Sequence, residues 1–209
     1  MEVDTSAVCD VAKDTRVMSP ELRCRSRNPA ILGPAFTVRC REDFFAVARA
    51  IEAAAPGDVV VVDGGGRPTA LAGELFARAA ENRGLAGLIV DGGYRDLGYV
   101  ATCELPVYSR HVTPMAGTTA RPGALNEPVT CGGVTVRPGD LILADLDGIV
   151  VLDPAAAPAV LAAAAELKAT EARALARLAE GGSLGDCLNV AEHAADLAAG
   201  RPSALRFTV

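Results

Sequence analysis

Glu74, Arg95 and Asp96 are the residues of this chain whose types and spacing best suit chemistry. They lie in GELFARAAENRGLAGLIVDGGYRD, with residues 75–94 between the first acid and the arginine. Two carboxylates and a guanidinium suit a hard divalent cation holding an oxygen-rich acid. The arginine would then stabilise negative charge that develops in a reaction. The three groups must meet for this. The intervening stretch reads as a helix followed by a strand, a unit that runs out and back, so its ends can return to one edge of a sheet. Taken singly, each residue has an ordinary role. Glu74 is a favourable acid in a first helical turn, Asp96 is a helix cap, and Arg95 is a surface ion-pair partner of little energetic weight. The combination at this spacing favours chemistry.

Gly73 adds to it. A glycine inside a helical pattern costs roughly 1 kcal/mol relative to alanine, so it marks a helix entry or a need for space. As an entry it would leave the N–H groups of Glu74, Leu75 and Phe76 pointing outward, an anion site that fits a substrate carboxylate. Asp91, Arg95 and Asp96 also stand where a buried strand ends, the usual place for ligands in an α/β sheet.

Other candidates are weaker. DVVVVDGGGRP has the look of a nucleotide-binding turn, but no Gly-Lys-[Ser/Thr] follows it, and Arg67-Pro68 stand where a dinucleotide fingerprint would open a helix. The glycines read as a sharp turn or a close approach to a ligand. His111, in YSRHVTP, could act as a general base, although a lone histidine near a loop is usually structural. Cys103 and Cys131 have no evident base partner for thiol catalysis.

The positioning elements can be read from periodicity. A helix is expected from Asp4 to about Lys13, a strand over ILGPAFTVRC, and a helix over EDFFAVARAIEAAA closed by Pro56-Gly57. DVVVVD (58–63) and LAGLIVDGG are short apolar runs, the mark of strands buried on both faces. Between them a helix is expected from Leu71 to Arg83, stopped by Gly84. RDLGYVATCE reads as a short helix and LPVYSR as a third strand. After Pro114 the pattern becomes strand and turn, with Gly132-Gly133, Pro138-Gly139 and Asp147-Gly148 as punctuation. Two helices close the chain, about 155–180 and Leu184–Ala199. Alternation of strand and helix favours a parallel or mixed sheet. The expectation is one domain over 1–209, with a core at about 30–153 and C-terminal helices at about 155–199.

Composition narrows the function. Half of the 209 residues are hydrophobic, 4% are aromatic, and tryptophan is absent, so the core is built of Val, Leu, Ile and Ala. A net charge of −6 without a basic cluster argues against a nucleic-acid surface. No run reaches the roughly 18 apolar residues of a membrane span, and the first residues lack the layout of a signal peptide. These features lead to the expectation of a cytoplasmic protein. The six cysteines form no CxxC pair and are expected to be reduced and mostly buried. With only His111 and His193, a histidine-based zinc site is not expected.

Residues 30–153 resemble a known family. Glu74 and Arg95-Asp96 match an acid-X20-Arg-Asp motif, supported by ILGPAFTV, PGDVVVVDGGG, LPVYSR, EPVTCGGVTVRPGD and LILADLDGIVVLD. The chain is similar to the class II pyruvate aldolases that cleave 4-hydroxy-4-methyl-2-oxoglutarate and 4-carboxy-4-hydroxy-2-oxoadipate. The same family includes RraA, the regulator of ribonuclease E activity. The resemblance implies an α/β/β sandwich of the swivelling, phosphohistidine-like type, with a mixed sheet and helical N- and C-terminal extensions. It also implies a homotrimer or hexamer with its active site in a cleft between subunits. Asp96 would ligate Mg2+ or Mn2+, Glu74 would act on the metal through water, and Arg95 would bind the keto and enolate oxygens. The backbone at Gly73, Leu75 and Phe76 would receive the pyruvate carboxylate. The implied substrates are 4-hydroxy-2-oxo acids, with oxaloacetate decarboxylation to pyruvate as a side activity. The alternative is a non-catalytic RraA-like regulator that binds a partner protein such as a ribonuclease. Two positions depart from the family pattern. Glu74 stands where the best-known aldolases carry Asp, and Asp43-Phe44 stands where relatives often have Asp-Asn.

Overall fold

The computed structural model describes residues 3–209. Its centre is a run of parallel strands: β3 (Ile31–Arg39), β4 (Val59–Asp63), β6 (Gly87–Tyr94) and β7 (Val107–Val112). The two shortest apolar runs of the sequence form β4 and most of β6, and every residue of both strands is buried. Burial on both faces explains why they lack polar alternation.

The sheet curls at β3. Its first half, Ile31–Pro34, pairs antiparallel with β11 (Leu141–Ala144), whereas its second half, Ala35–Arg39, pairs parallel with β4. Beyond β11 come β12 (Ile149–Leu152) and β1 (Arg16–Val17), both antiparallel. β2 (Arg23–Cys24) closes the opposite edge on β7. A hairpin of β9 (Val129–Cys131) and β10 (Val134–Val136) turns through Gly132-Gly133 and covers one face.

Three apolar layers follow. Val60, Val62, Leu88 and Val90 point to the side carrying α2 (Phe45–Ala53), α3 (Glu74–Asn82) and α4 (Leu97–Val100). Val59, Val61 and Ile89 point the other way, toward Val129, Cys131, Val136 and Ile142. The result is the expected mixed α/β/β arrangement. A third layer buries Ala7 and Val8 of α1 (Thr5–Val11), and Ala157 and Ala164 of α5 (Ala157–Ala179), against Leu143, Val150 and Leu152. Asp4 caps α1, accepting from the Ala7 N–H at 2.8 Å, and pairs with Lys168 of α5.

Two expected helices differ. The one read as starting at Leu71 begins at Glu74, because Ala70–Ala72 form a strand, β5, parallel to β6. The cause is a partner shortage. β6 runs on past the last residue paired with β4, Asp91, and residues 70–72 supply hydrogen bonds to its unpaired end. The helix read over Leu184–Ala199 is broken into a 3-10 turn (Leu184–Asp186) and α6 (Val190–Ala198). Asn189 sits at the break. Its side chain donates to the Ala204 carbonyl and accepts from the Arg206 N–H, tying the last residues to that point.

None of the six cysteines is in a disulfide, and four of them (Cys40, Cys103, Cys131 and Cys187) are buried. Among the described residues no helix is long and apolar enough to cross a membrane.

Candidate active site

Gly73 ends β5 and caps α3, and it lies directly against the turn that follows β6. A Cβ at Gly73 would overlap Asp96 Oδ2 and reach 2.9 Å from Arg95 Cγ. Its backbone is extended (φ −166°), so space rather than conformation demands glycine. The missing side chain lets Asp96 approach the helix entry, where its Oδ2 accepts from the Glu74 N–H at 3.0 Å. A residue 22 positions away thus caps a helix that has no side-chain cap of its own.

Asp96 is itself left-handed, with φ 60° and ψ 42°. Aspartate tolerates that region better than most residues, but it still carries strain, a frequent property of functional positions. Two hydrogen bonds to backbone carbonyls fix the turn: Arg95 N–H to Ala72 at 3.1 Å and the Tyr94 side-chain OH to Gly73 at 3.2 Å. The Tyr94 ring is fully buried, so its hydroxyl requires such a partner.

The convergence read from the sequence is therefore present at the backbone. Gly73, Leu75, Phe76, Arg95 and Asp96 line one small cleft of about 50 Å3, together with Phe44, Ala70, Leu71, Ala72 and Ala116. Arg95 Nε lies 3.6 Å from Asp96 Oδ2, and its guanidinium makes no hydrogen bond among the described residues. Both side chains are 43% exposed. Glu74 stands at the helix entry, but its carboxylate turns to Arg78 at 2.8 Å, an i,i+4 pair. Arg78 in turn lies over the Tyr99 ring, 4.0 Å from its centroid, and Tyr99 OH donates to Glu81 at 2.6 Å.

The three-donor anion site is reduced. The Phe76 N–H bends back to the Gly73 carbonyl at 3.1 Å, and the Glu74 N–H goes to Asp96. The Leu75 N–H alone of the three makes no hydrogen bond among the described residues.

The donor set can be tested against a divalent cation. Among the described residues no group of three His, Cys, Asp or Glu could hold a metal. Asp96 nevertheless offers one hard carboxylate in the cleft, and the Glu74 carboxylate, here paired with Arg78, stands beside the lining residues Gly73 and Leu75. Mg2+ commonly takes one or two carboxylates and keeps several waters. The residues fit such an ion and not a fully protein-ligated one.

The remaining candidates lie elsewhere. His111 Nε2 is 2.9 Å from the Gly66 carbonyl, which makes it the donor there, and it does not line the cleft. Burial raises the Cys103 and Cys131 thiols above their ordinary range, opposite to what a nucleophile needs. Gly65 and Gly66 take left-handed backbone (φ 70° and 69°) and border a second cleft with Arg39, Arg41 and Arg110.

Sequence reasoning missed Ala70 and Ala116 as lining residues. No local signal marks them, because hydrogen bonds between distant segments place them: Ala70 N–H to the Met115 carbonyl and Gly117 N–H to the Ala70 carbonyl. It also missed the anchor for that loop. Asp43, 1% exposed, accepts from the Thr118 hydroxyl and from the N–H groups of Phe45, Ala120 and Arg121. Burial pushes the Asp43 carboxyl up, but these donors outweigh it and hold the group below the usual carboxylate range.

Known proteins resemble this chain over most of its length. The RraA-like family model, described as Aldolase/RraA, matches residues 5–151. A Halalkalibacterium halodurans protein named "Putative 4-hydroxy-4-methyl-2-oxoglutarate aldolase" is 36% identical over 152 residues, 72% of each chain. One of the same name from Alkalilimnicola ehrlichii is 39% identical over 153 residues, covering 72% of this chain and 95% of that one. Among solved structures, the RNA-processing inhibitor RraA from Thermus thermophilis superposes with a TM-score of 0.69 at 31% identity, over 73% of this chain and 93% of that one. With residues 5–151 matched by the family model and relatives 36–39% identical over most of its length, the chain belongs to the RraA-like (Aldolase/RraA) family.

Proposed function

We propose that the protein is a divalent-metal-dependent class II aldolase that cleaves a 4-hydroxy-2-oxo acid to pyruvate, with oxaloacetate decarboxylation as a side activity. One observation carries the reading. An arginine without a hydrogen-bond partner among the described residues and a strained, half-exposed aspartate share a cleft with the entry of α3. The relatives named as aldolases support it.

Asp96 would hold Mg2+ or Mn2+, with Glu74 acting through water. The ion would supply Lewis acidity toward the oxygens of the 2-oxo acid. The chain's own groups do the rest. The Leu75 N–H takes a carboxylate oxygen of the pyruvate half, and the positive end of α3 favours that charge. Arg95 faces the keto oxygen and stabilises the enolate charge as the C3–C4 bond breaks. Glu74, through a water, removes the 4-hydroxyl proton once its contact with Arg78 loosens. The exposed Leu75 (77%) of the cleft and Met115 (70%), next in the chain to the lining Ala116, suit cover by another subunit, in keeping with a trimer or hexamer.

The test is pyruvate release from oxaloacetate and from a 4-hydroxy-2-oxo acid with Mg2+ or Mn2+. Release should vanish with EDTA and fall at least about a hundredfold in Arg95→Ala and Asp96→Ala. A pure, folded protein that releases nothing with any metal refutes the proposal. The second reading, a regulator binding a protein partner, rests on the likeness to the RNA-processing inhibitor and on the same exposed rim. It would prevail if that inert protein bound a ribonuclease tightly and Leu75→Asp abolished the binding.

A further inference from the structure

Resting on the aldolase reading, the two reactions of the site differ by one proton. Aldol cleavage must first remove the 4-hydroxyl proton. The C3–C4 electron pair then moves into the pyruvate enolate, and C4 leaves as a carbonyl carbon. In oxaloacetate C4 is already a carboxylate. The same pair moves, C4 leaves as CO2, and there is no hydroxyl proton to remove. Either enolate takes a proton at C3 to give pyruvate, and neither reaction needs an oxidant. Only cleavage therefore calls on the Glu74 carboxylate as a base.

The fold holds that carboxylate outside the cleft. Arg78 Nε donates to Glu74 Oε1 at 2.8 Å on the exposed surface of α3, and Glu74 is not one of the residues that line the cleft. The two ends of this pair are held unequally. Arg78 has a second hold, its Cζ lying 4.0 Å from the centroid of the Tyr99 ring. Tyr99 is fixed in turn, since its hydroxyl donates to Glu81 Oε2 at 2.6 Å, while Glu81 Oε1 accepts from the Leu105 N–H at 3.3 Å. The Glu74 carboxylate makes no other hydrogen bond among the described residues. When the pair opens, the arginine stays on its ring and the acid is the part that moves. Exposed i,i+4 pairs are weak, so opening is frequent.

We propose that Arg78 is a positioning residue that withholds the Glu74 base from the cleft for part of the time, and so sets the ratio of aldol cleavage to decarboxylation. At the strength of such pairs the closed form outnumbers the open one by about two to one. A rate that needs the open form is reduced to about a third of its full value. Tyr99 and Glu81 act through Arg78, by keeping the guanidinium where the acid returns to it.

The experiment measures kcat with Mg2+ for 4-hydroxy-4-methyl-2-oxoglutarate and for oxaloacetate. Arg78→Ala should raise cleavage about two- to threefold and leave decarboxylation unchanged, whereas Arg78→Lys, which keeps the pair, should stay near wild type. Raising the salt from about 0.02 to about 0.5 M screens an exposed pair. It should lift the cleavage-to-decarboxylation ratio in wild type and not in Arg78→Ala. Both substrates are dicarboxylates, so salt acts on their binding alike. Independently of turnover, the Arg78 Nε proton should exchange with water more slowly in wild type than in Glu74→Ala, as nitrogen-15 NMR would show. Equal effects of Arg78→Ala on both reactions, no effect on either, or a fall in cleavage overturn the inference and leave the aldolase standing. So does an Nε proton indifferent to Glu74. Release of pyruvate from oxaloacetate alone also overturns it, because no step then uses the base. Release from neither acid removes the aldolase and the inference together. The salt dependence of the wild-type ratio decides the matter even where a variant does not fold.

Discussion

The larger of two polar clefts, about 640 Å3, is lined by Arg39, Arg41 and Arg110 with Asp63 and Asp91. The smaller one has a single arginine and a single aspartate, Arg95 and Asp96. By charge alone the larger cleft is the better candidate. Most of its charges, however, are engaged; Arg41 is the exception among the described residues. Asp91 accepts from Arg110 Nε with one oxygen and from the Gly132 N–H, at 2.7 Å, with the other. Arg110 also contacts Glu21, and Arg39 donates to the Pro128 carbonyl. Burial of the Asp91–Arg110 pair (8% and 14% exposed) makes it a clamp between the sheet and the β9–β10 hairpin. In the smaller cleft Arg95 has no hydrogen bond, and Asp96 pays backbone strain to stand beside it. The number of charges does not mark a site; the smaller cleft differs in setting its guanidinium beside a carboxylate on strained backbone at a helix entry.

The contrast can be broken at its strong end. Asp91→Ala leaves Arg110 half-buried without its partner and should cost about 3–5 kcal/mol, read as a lower urea midpoint at unchanged slope. A cost below about 1 kcal/mol would mean that the larger cleft is not held by its charges. Gly73→Ala probes the other side. The added methyl displaces the Asp96 and Arg95 side chains, so stability should fall by about 1 kcal/mol, the worth of the helix cap that Asp96 provides. Pyruvate release should fall on the order of a hundredfold, the effect of moving a reacting group by about 1 Å. If stability falls while activity holds, the cleft is scaffold and not site.

A third outcome concerns acid. Asp43 is held below its ordinary 3.8 in the folded state, so its contribution is fully present above that value and is lost as pH falls through the depressed one. Asp43→Asn should be less stable than wild type by about 1 kcal/mol at pH 7, and the gap should narrow as pH falls below 3.8, as urea midpoints across that range would show. A gap that persists in acid would mean that charge is not what anchors the Thr118–Arg121 loop. The smallest effect belongs to Arg78→Ala. An exposed i,i+4 pair contributes about 0.5 kcal/mol or less, so only turnover should respond, through the freed Glu74 carboxylate. A larger loss in the urea midpoint would make Arg78 a structural brace.

Much of the site was legible because its signals are local. The acid, the glycine before it and the Arg-Asp pair are adjacent to element boundaries that periodicity reveals, and Gly84 closes α3 in left-handed conformation (φ 68°) as read. The strands of β4 and β6 were equally plain from their apolar runs. Less legible was β5, since Ala70–Ala72 has no strand period and becomes a strand only because β6 outruns β4. The direction of the Glu74 carboxylate was hidden too: the helix fixes Arg78 one turn on, and the ring of Tyr99 keeps it there.

The sequence alone determined most of the strand and helix segments and which residues can do chemistry, because side-chain period and residue type act over a few neighbours. Only the tertiary structure decided which charges neutralise one another and which stay free. It turned Asp91 toward Arg110 and the hairpin, and Asp96 toward the entry of α3. Partner choice depends on which distant backbone comes within 3 Å, and that is a property of packing.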